Sequence, residues 1–129
     1  MKLPINVVYD LLMNASEITS MINPDMIFKL YVPEEYHQIE HLPIVRINEI
    51  SDYQEGFASD MPFSFVCSVQ VDVWASTSKT LEQIQTVMDK LMAQNEWAQY
   101  SGGIDSDPDF NNTPRMYRRY RTTQQIDFN

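Results

Sequence analysis

Residues 63–92 read FSFVCSVQVDVWASTSKTLEQIQTVMDKLM, a long strand pattern, a short polar turn and an amphipathic helix pattern. Phe63, Phe65, Cys67, Val69, Val71 and Val73 fall on one face of the strand; Ser64, Ser68, Gln70 and Asp72 fall on the other, interrupted by Val66 and Trp74. A period of two carried by β-branched and aromatic residues specifies a strand. After the turn, Leu81, Ile84, Met88 and Leu91 recur every three or four residues, with Val87 and Met92 widening the stripe and Glu82, Gln83, Gln85, Asp89 and Lys90 opposite. That spacing lines one side of a helix. Full burial of the four stripe residues contributes about 6–12 kcal/mol at most, an upper bound because the unfolded chain is already partly compact. Strand and helix are therefore expected to share one core.

Working outward from this unit, Pro4 sits where a helix start tolerates proline, and Ile5, Val8, Leu11, Leu12 and Ala15 follow at helical spacing. This predicts a helix over 4–14 with a short continuation through Glu17–Met21, ended by the turn residues Asn23-Pro24-Asp25. Met26–Val32 reads as a short strand stopped at Pro33, followed by the polar loop EEYHQIEH. Pro43–Ile50 reads as a second strand with Val45 and Ile47 facing the core, and Ser51–Pro62 as an exposed hairpin-like loop. Beyond the central helix, Trp97 and Tyr100 are expected to pack its end, and Gly102-Gly103 to stop it. IDSDPDFNNTP then reads as a long acidic loop, and Arg115–Arg121, RMYRRYR, as an edge-like final strand with arginine on both faces. The expectation is a single α+β domain over 1–129: a mainly antiparallel sheet of about four strands, two helices on one face, order αβββαβ.

Composition narrows the function classes. The chain has 129 residues, room for one core, and 43% hydrophobic residues, which is globular. A formal charge of −9 disfavours nucleic-acid backbones and anionic membranes, since neutralising phosphate takes Lys and Arg. Cys67 is the only cysteine, so an intrachain disulfide and a cysteine metal cluster are excluded, and a reducing cytosolic site of synthesis fits. MKLPINVVYDLL has Pro4 and Asp10 where a signal peptide needs an unbroken apolar run, and no membrane-length stretch follows.

Several local patterns invite chemistry. His37-Gln38-Ile39-Glu40-His41 matches H-x-x-E-H, in which two histidines on one helical face bind zinc and the glutamate activates water. Set between Pro33 and Pro43, the segment is too short for a supporting helix and is better read as a solvated connection, which leaves a small metal-dependent hydrolase as a minor alternative. Asp105, Asp107 and Asp109 alternate as calcium ligands could, but Pro108 and the missing glycine and bidentate glutamate break the EF-hand pattern. The four arginines of 115–121 with Tyr117 and Tyr120 resemble a nucleic-acid surface, yet the acidic balance favours salt bridging within or between chains. Cys67, on the apolar face without a neighbouring base, reads as a structural thiol, and the eight methionines read as core filler. With Gly56, Gly102 and Gly103 as the only glycines there is no phosphate-cradling loop, and no Ser/His/Asp set with a nucleophile elbow is found.

VVYDLL, IFKLYVPEE, PIVRINEI, VQVDVWA with its helix, and DPDF leading into RRYR form a pattern distributed along the chain from Ile5 to Phe128. With that pattern the chain resembles the tail-terminator or tail-completion (minor tail) proteins of long-tailed bacteriophages and prophages of lactic-acid bacteria and related Firmicutes. The resemblance implies a structural virion protein without catalytic, cofactor or metal residues. Such a protein is made in the host cytoplasm and assembled into the tail or neck as a ring, six copies in this family. Its implied partners are itself, the major tail tube protein and a neck or head-completion protein, with DNA only passing through the lumen. A closed ring needs a heterologous contact, one patch meeting a different patch on the next subunit. Opposite charge suggests Asp105, Asp107 and Asp109 facing Arg115, Arg118, Arg119 and Arg121 of a neighbour. An acidic lumen would repel passing phosphates. A head-to-tail connector or stopper shares these features, and a cytosolic binding module is the reading outside virion assembly.

Overall fold

The computed structural model describes residues 2–58 and 61–125. Helix α1 (Pro4–Met13) begins with proline in its first turn, where the missing N–H has no helical partner to lose, and α2 (Ser16–Thr19) continues it after a break at Asn14-Ala15. The side chain of Asn23 then accepts from the Asp25 N–H at 2.9 Å and starts a 3-10 turn, Pro24–Met26. Strand β1 (Ile27–Lys29) is shorter than the expected Met26–Val32, because Leu30 turns to φ 74° and leaves the extended region. Strands β2 (Ile44–Ala58) and β3 (Met61–Trp74) form one long hairpin, so most of the Ser51–Pro62 segment expected as loop is paired strand. The connection at 59 and 60 and the inward face of Phe63 lie outside what is described, as does the chain end from 126 to 129.

Helix α3 (Ser78–Gln94) is capped by Thr77, whose hydroxyl accepts from the Thr80 N–H at 3.2 Å. Its end corrects the sequence expectation. Asn95 donates its side-chain amide to the Leu91 carbonyl, Glu96 takes the left-handed conformation at φ 67°, and the chain leaves eight residues before the Gly102–Gly103 pair would have stopped it at Gly102, as strand β4 (Ala98–Asp107). Trp97 does pack the helix end, at 2% exposure. The supposed acidic loop is thus half strand, followed by a 3-10 turn at Pro108–Phe110 and strand β5 (Thr113–Gln125).

The sheet has five strands in the order β1-β2-β3-β5-β4. The β1–β2 pair is parallel and all others antiparallel. The molecule is therefore the expected single α+β domain with a mostly antiparallel sheet and two main helices packed on it, with one strand more than foreseen. β5 is not an edge: it lies between β3 and β4, and β4 and β1 are the edges.

The face toward the helices is the main core. Phe65, Cys67, Val69, Val71 and Val73 of β3 meet Val45 and Ile47 of β2, Val8 and Leu12 of α1, and Leu81, Ile84, Met88 and Leu91 of α3 in one buried cluster. The stripe and the alternation that defined strand and helix in the sequence are the two sides of this contact. The opposite face carries a smaller core at one end, where Trp74 and Ile44 pack with Met26 and Phe110, and Phe28, Val32, Tyr36 and Leu42 close over them. The loop 34–41, expected as a solvated connection, together with Val32 and Leu42 on either side of it, is partly a lid on that second core.

Candidate assembly surfaces

The arginine-rich strand is the half of the expected subunit contact that opposite charge singled out, and its register explains each side chain. On β5, Arg118 stands opposite Val71 and so points toward the helices, while Arg115, Arg119 and Arg121, opposite Trp74, Gln70 and Ser68, point to the other face. Arg118 donates Nε and Nη2 to the two carboxylate oxygens of Asp89 on α3, at 3.2 and 2.5 Å. Burial alone would lower the Arg118 pKa, but the hydrogen bond and charge of Asp89 outweigh it and hold the guanidinium charged above its usual range. Arg115 makes the same two-pronged contact with Asp105 directly across on β4, at 3.0 and 2.7 Å. That hydrogen bond, with the charge attraction, holds the Asp105 carboxyl below the usual carboxylate range and raises Arg115.

Asp105 is thus engaged inside its own chain. Asp107 is engaged as well: it accepts from the Trp74 indole N–H at 2.9 Å and from the Asp109 backbone N–H at 2.9 Å, capping the 3-10 turn that delivers Phe110 to the second core. Asp109 is exposed in that turn. The structure therefore brings Asp105 and Arg115 together within one subunit, and places Arg118 on the far side of the sheet from Arg119 and Arg121.

The latter two differ from the rest. Arg119 donates Nε to the Gln70 amide oxygen at 2.9 Å and lies 5.7 Å from the centre of the Tyr117 ring; Arg121 lies 4.3 Å over Tyr100. Among the described residues neither has a carboxylate partner. Sequence reasoning missed Gln70 and Asp72 as the base of this surface. Asp72, completely buried, accepts from Arg46 at 2.8 and 3.2 Å and from Gln70 at 2.9 Å, and Arg46 in turn lies 5.1 Å from the Trp74 ring centre. Rows of Arg46, Asp72 and Tyr117, then Asn48, Gln70 and Arg119, continue across the open face from the edge of the second core.

The two sheet edges are unlike. At the β1 edge and the lid that follows it, Leu30, Tyr31 and Ile39 are 58%, 68% and 69% exposed, and Glu34, Glu35 and Glu40 are exposed beside them. At the β4 edge Ile104 is 58% exposed beside a shallow groove between β4 and α3 lined by Leu81, Gln85, Gly102, Met116 and Arg118.

The H-x-x-E-H segment takes another shape. It is split between two 3-10 turns, Glu34–Tyr36 and Ile39–His41, with His37 and Gln38 between them, so the histidines do not share a helical face. His37 stacks on Phe110 at 5.1 Å and donates Nε2–H to the Val32 carbonyl, while His41 meets Tyr36 edge-on at 5.4 Å. Among the described residues no three His, Cys, Asp or Glu side chains converge closely enough to hold a metal ion. Nor is any described helix long and apolar enough to cross a membrane. Compared with known proteins, the chain matches no family model and no curated protein sequence.

Proposed function

We propose that this chain is a tail-terminator protein of a long-tailed bacteriophage or prophage. In this reading it is a non-enzymatic virion component, made in the host cytoplasm, that closes into a ring on the head-proximal end of the tail tube. The ring ends tube growth and offers the surface on which the head is joined. Its partners are other copies of itself, six in the ring, the tail tube protein below and a neck or head-completion protein above, with DNA passing through the lumen.

The resemblance of the segments from VVYDLL to RRYR supports this reading. The observation that carries it is the pair of unlike exposed edges on one sheet, apolar and acidic at β1 with its lid, apolar beside an arginine-bearing face at β4. A ring needs two such different surfaces on each subunit, whereas a two-fold dimer needs one self-complementary patch. The net charge of −9 also suits a conduit that must not hold DNA.

Electron microscopy of particles from a phage lacking this gene tests the proposal. Abnormally long, headless tail tubes beside filled heads are expected. Tails of normal length left detached would instead assign the connector role, and intact infectious particles would remove both.

A further inference from the structure

The open sheet face beyond the second core is a shelf. Arg119 and Arg121 stand on it in adjacent rows of β5; their cross-strand partners on β4 are the small residues Ser101 and Ala98, and Tyr100, in the bulge between these two, lies over Arg121. Tyr100 on β4 and Tyr53 on β2, 38% and 52% exposed, share this face, Tyr53 one row beyond Arg121 and two strands away. The shelf begins where this chain's own lid stops covering the same face. The lid itself presents the opposite chemistry, Glu34, Glu35 and Glu40 among the exposed Tyr31 and Ile39.

Copies carrying a charge of −9 repel one another, so a local positive patch that meets a local negative one selects among the ways they can dock. Three of the five arginines are neutralised inside the chain by Asp72, Asp89 and Asp105. Arg119 and Arg121 are the two left for a partner among the described residues. We infer that the shelf is the seat for the lid of a second copy: Glu34 and Glu35 of one subunit pair with Arg119 and Arg121 of the next, while Tyr31 packs against Tyr100 and Tyr53. This deepens the ring reading and rests on it, and the contact is heterologous because lid and shelf are different surfaces. It replaces the charge match with Asp105 and Asp107, which are engaged within their own subunit.

The test uses the full chain and three variants: shelf-reversed (R119E with R121E), lid-reversed (E34R with E35R), and one carrying both changes. Sedimentation analysis up to millimolar concentration reads assembly, and circular dichroism reads folding. Because Arg119 also holds Gln70, R121E alone, an exposed change, serves as the second shelf variant. Each single reversal is expected to weaken association at least about tenfold. The doubly reversed chain is expected to reassemble, and mixing the two reversed chains to give rings with an even number of alternating copies. Folded variants that assemble like the wild type overturn this contact and leave the ring reading standing. A doubly reversed chain that folds but stays apart overturns it too, and a wild-type chain that never self-associates overturns both. If the shelf reversal abolishes oligonucleotide binding while assembly is unchanged, the shelf belongs to nucleic acid and the inference fails.

Discussion

Tyr120 donates its hydroxyl to Oδ1 of Asp89 at 2.6 Å, tying the inner strand β5 to helix α3 from inside the core. Tyr120 is fully buried, and burial followed by the hydrogen bond and charge of Asp89 pushes its phenol pKa far above the ordinary value. With Arg118 gripping the same carboxylate, Asp89 is the shared acceptor of one buried and one half-buried donor. Asp89→Ala is therefore expected to cost about 3 kcal/mol, since it leaves both donors without an acceptor, and Tyr120→Phe about 1.5 kcal/mol, since it removes one hydrogen bond to a charge. Urea unfolding of the two variants checks this; a larger loss for Tyr120→Phe would refute the assignment of Asp89 as the hub.

Arg46 and Asp72 form the corresponding pair on the other face, between neighbouring strands β2 and β3 in direct register. Asp72 has no exposure while Arg46 keeps 27%, so the carboxylate depends on the guanidinium and Gln70 for all its solvation. Arg46→Met leaves that charge buried with one neutral donor, an expected loss of about 3–5 kcal/mol. Arg46→Met combined with Asp72→Asn removes both charges and is expected to recover at least about half of it. The double-mutant cycle by denaturant unfolding decides: strictly additive losses would mean that the pair is not coupled.

What the sequence told and what it hid divide along the range of the interactions involved. β3 and α3 were legible because their periods of two and 3.6 are written in apolar residues, and the same residues form the main core. β4 was not, because AQYSGGIDSD has no apolar alternation and little strand propensity; its pairing with β5 makes it a strand. Its glycines, read as a helix stop, are needed for side chains of the next strand. A Cβ on Gly102 would sit 2.5 Å from an Arg118 nitrogen, and one on Gly103 would sit 2.9 Å from the Tyr117 ring. The actual stop is Glu96 at positive φ, a position where glycine is the usual signal. The charged character of β5 suggested an edge; β3 and β4 pair with it on both sides, and the carboxylates that neutralise two of its arginines, Asp89 and Asp105, lie 29 and 10 residues away from Arg118 and Arg115 in the chain. For the assembly surfaces, opposite charge was visible in the sequence, but which arginines remain unpaired depends on register.

Thr122 on β5 has the one buried side-chain polar atom without a hydrogen-bond partner among the described residues. It stands opposite Cys67, on the face toward the helices, at 4% exposure. An unpartnered buried hydroxyl costs free energy that an isosteric methyl does not. Thr122→Val is therefore expected to stabilise the fold by about 1 kcal/mol, seen as a higher urea midpoint at unchanged slope. A lower midpoint would show that the hydroxyl has a partner after all.

Cys67 is expected to begin the alkaline decline of the stability curve. Burial first, then the negative charges of Asp52 and Glu49, push the thiol from 9.0 up to about 12 in the folded chain. Below pH 9 the thiol is protonated in folded and unfolded chains alike, so the group contributes no pH dependence there. As pH rises past 9 the unfolded chain loses the proton while the folded chain keeps it, and the unfolded state is favoured. The loss continues until the folded pKa is reached, and three pKa units correspond to about 4 kcal/mol as an upper bound. Tyr120, raised in the same direction, adds to the decline above pH 10. Cys67→Ala removes the first of these contributions, so its unfolding free energy is expected to be slightly lower than wild type at pH 7 but to fall less steeply from pH 9 to 10, before the tyrosine enters. Urea unfolding at half-unit steps from pH 8 to pH 11 reads both curves; if they run parallel across pH 9 to 10, the thiol does not set the alkaline limit.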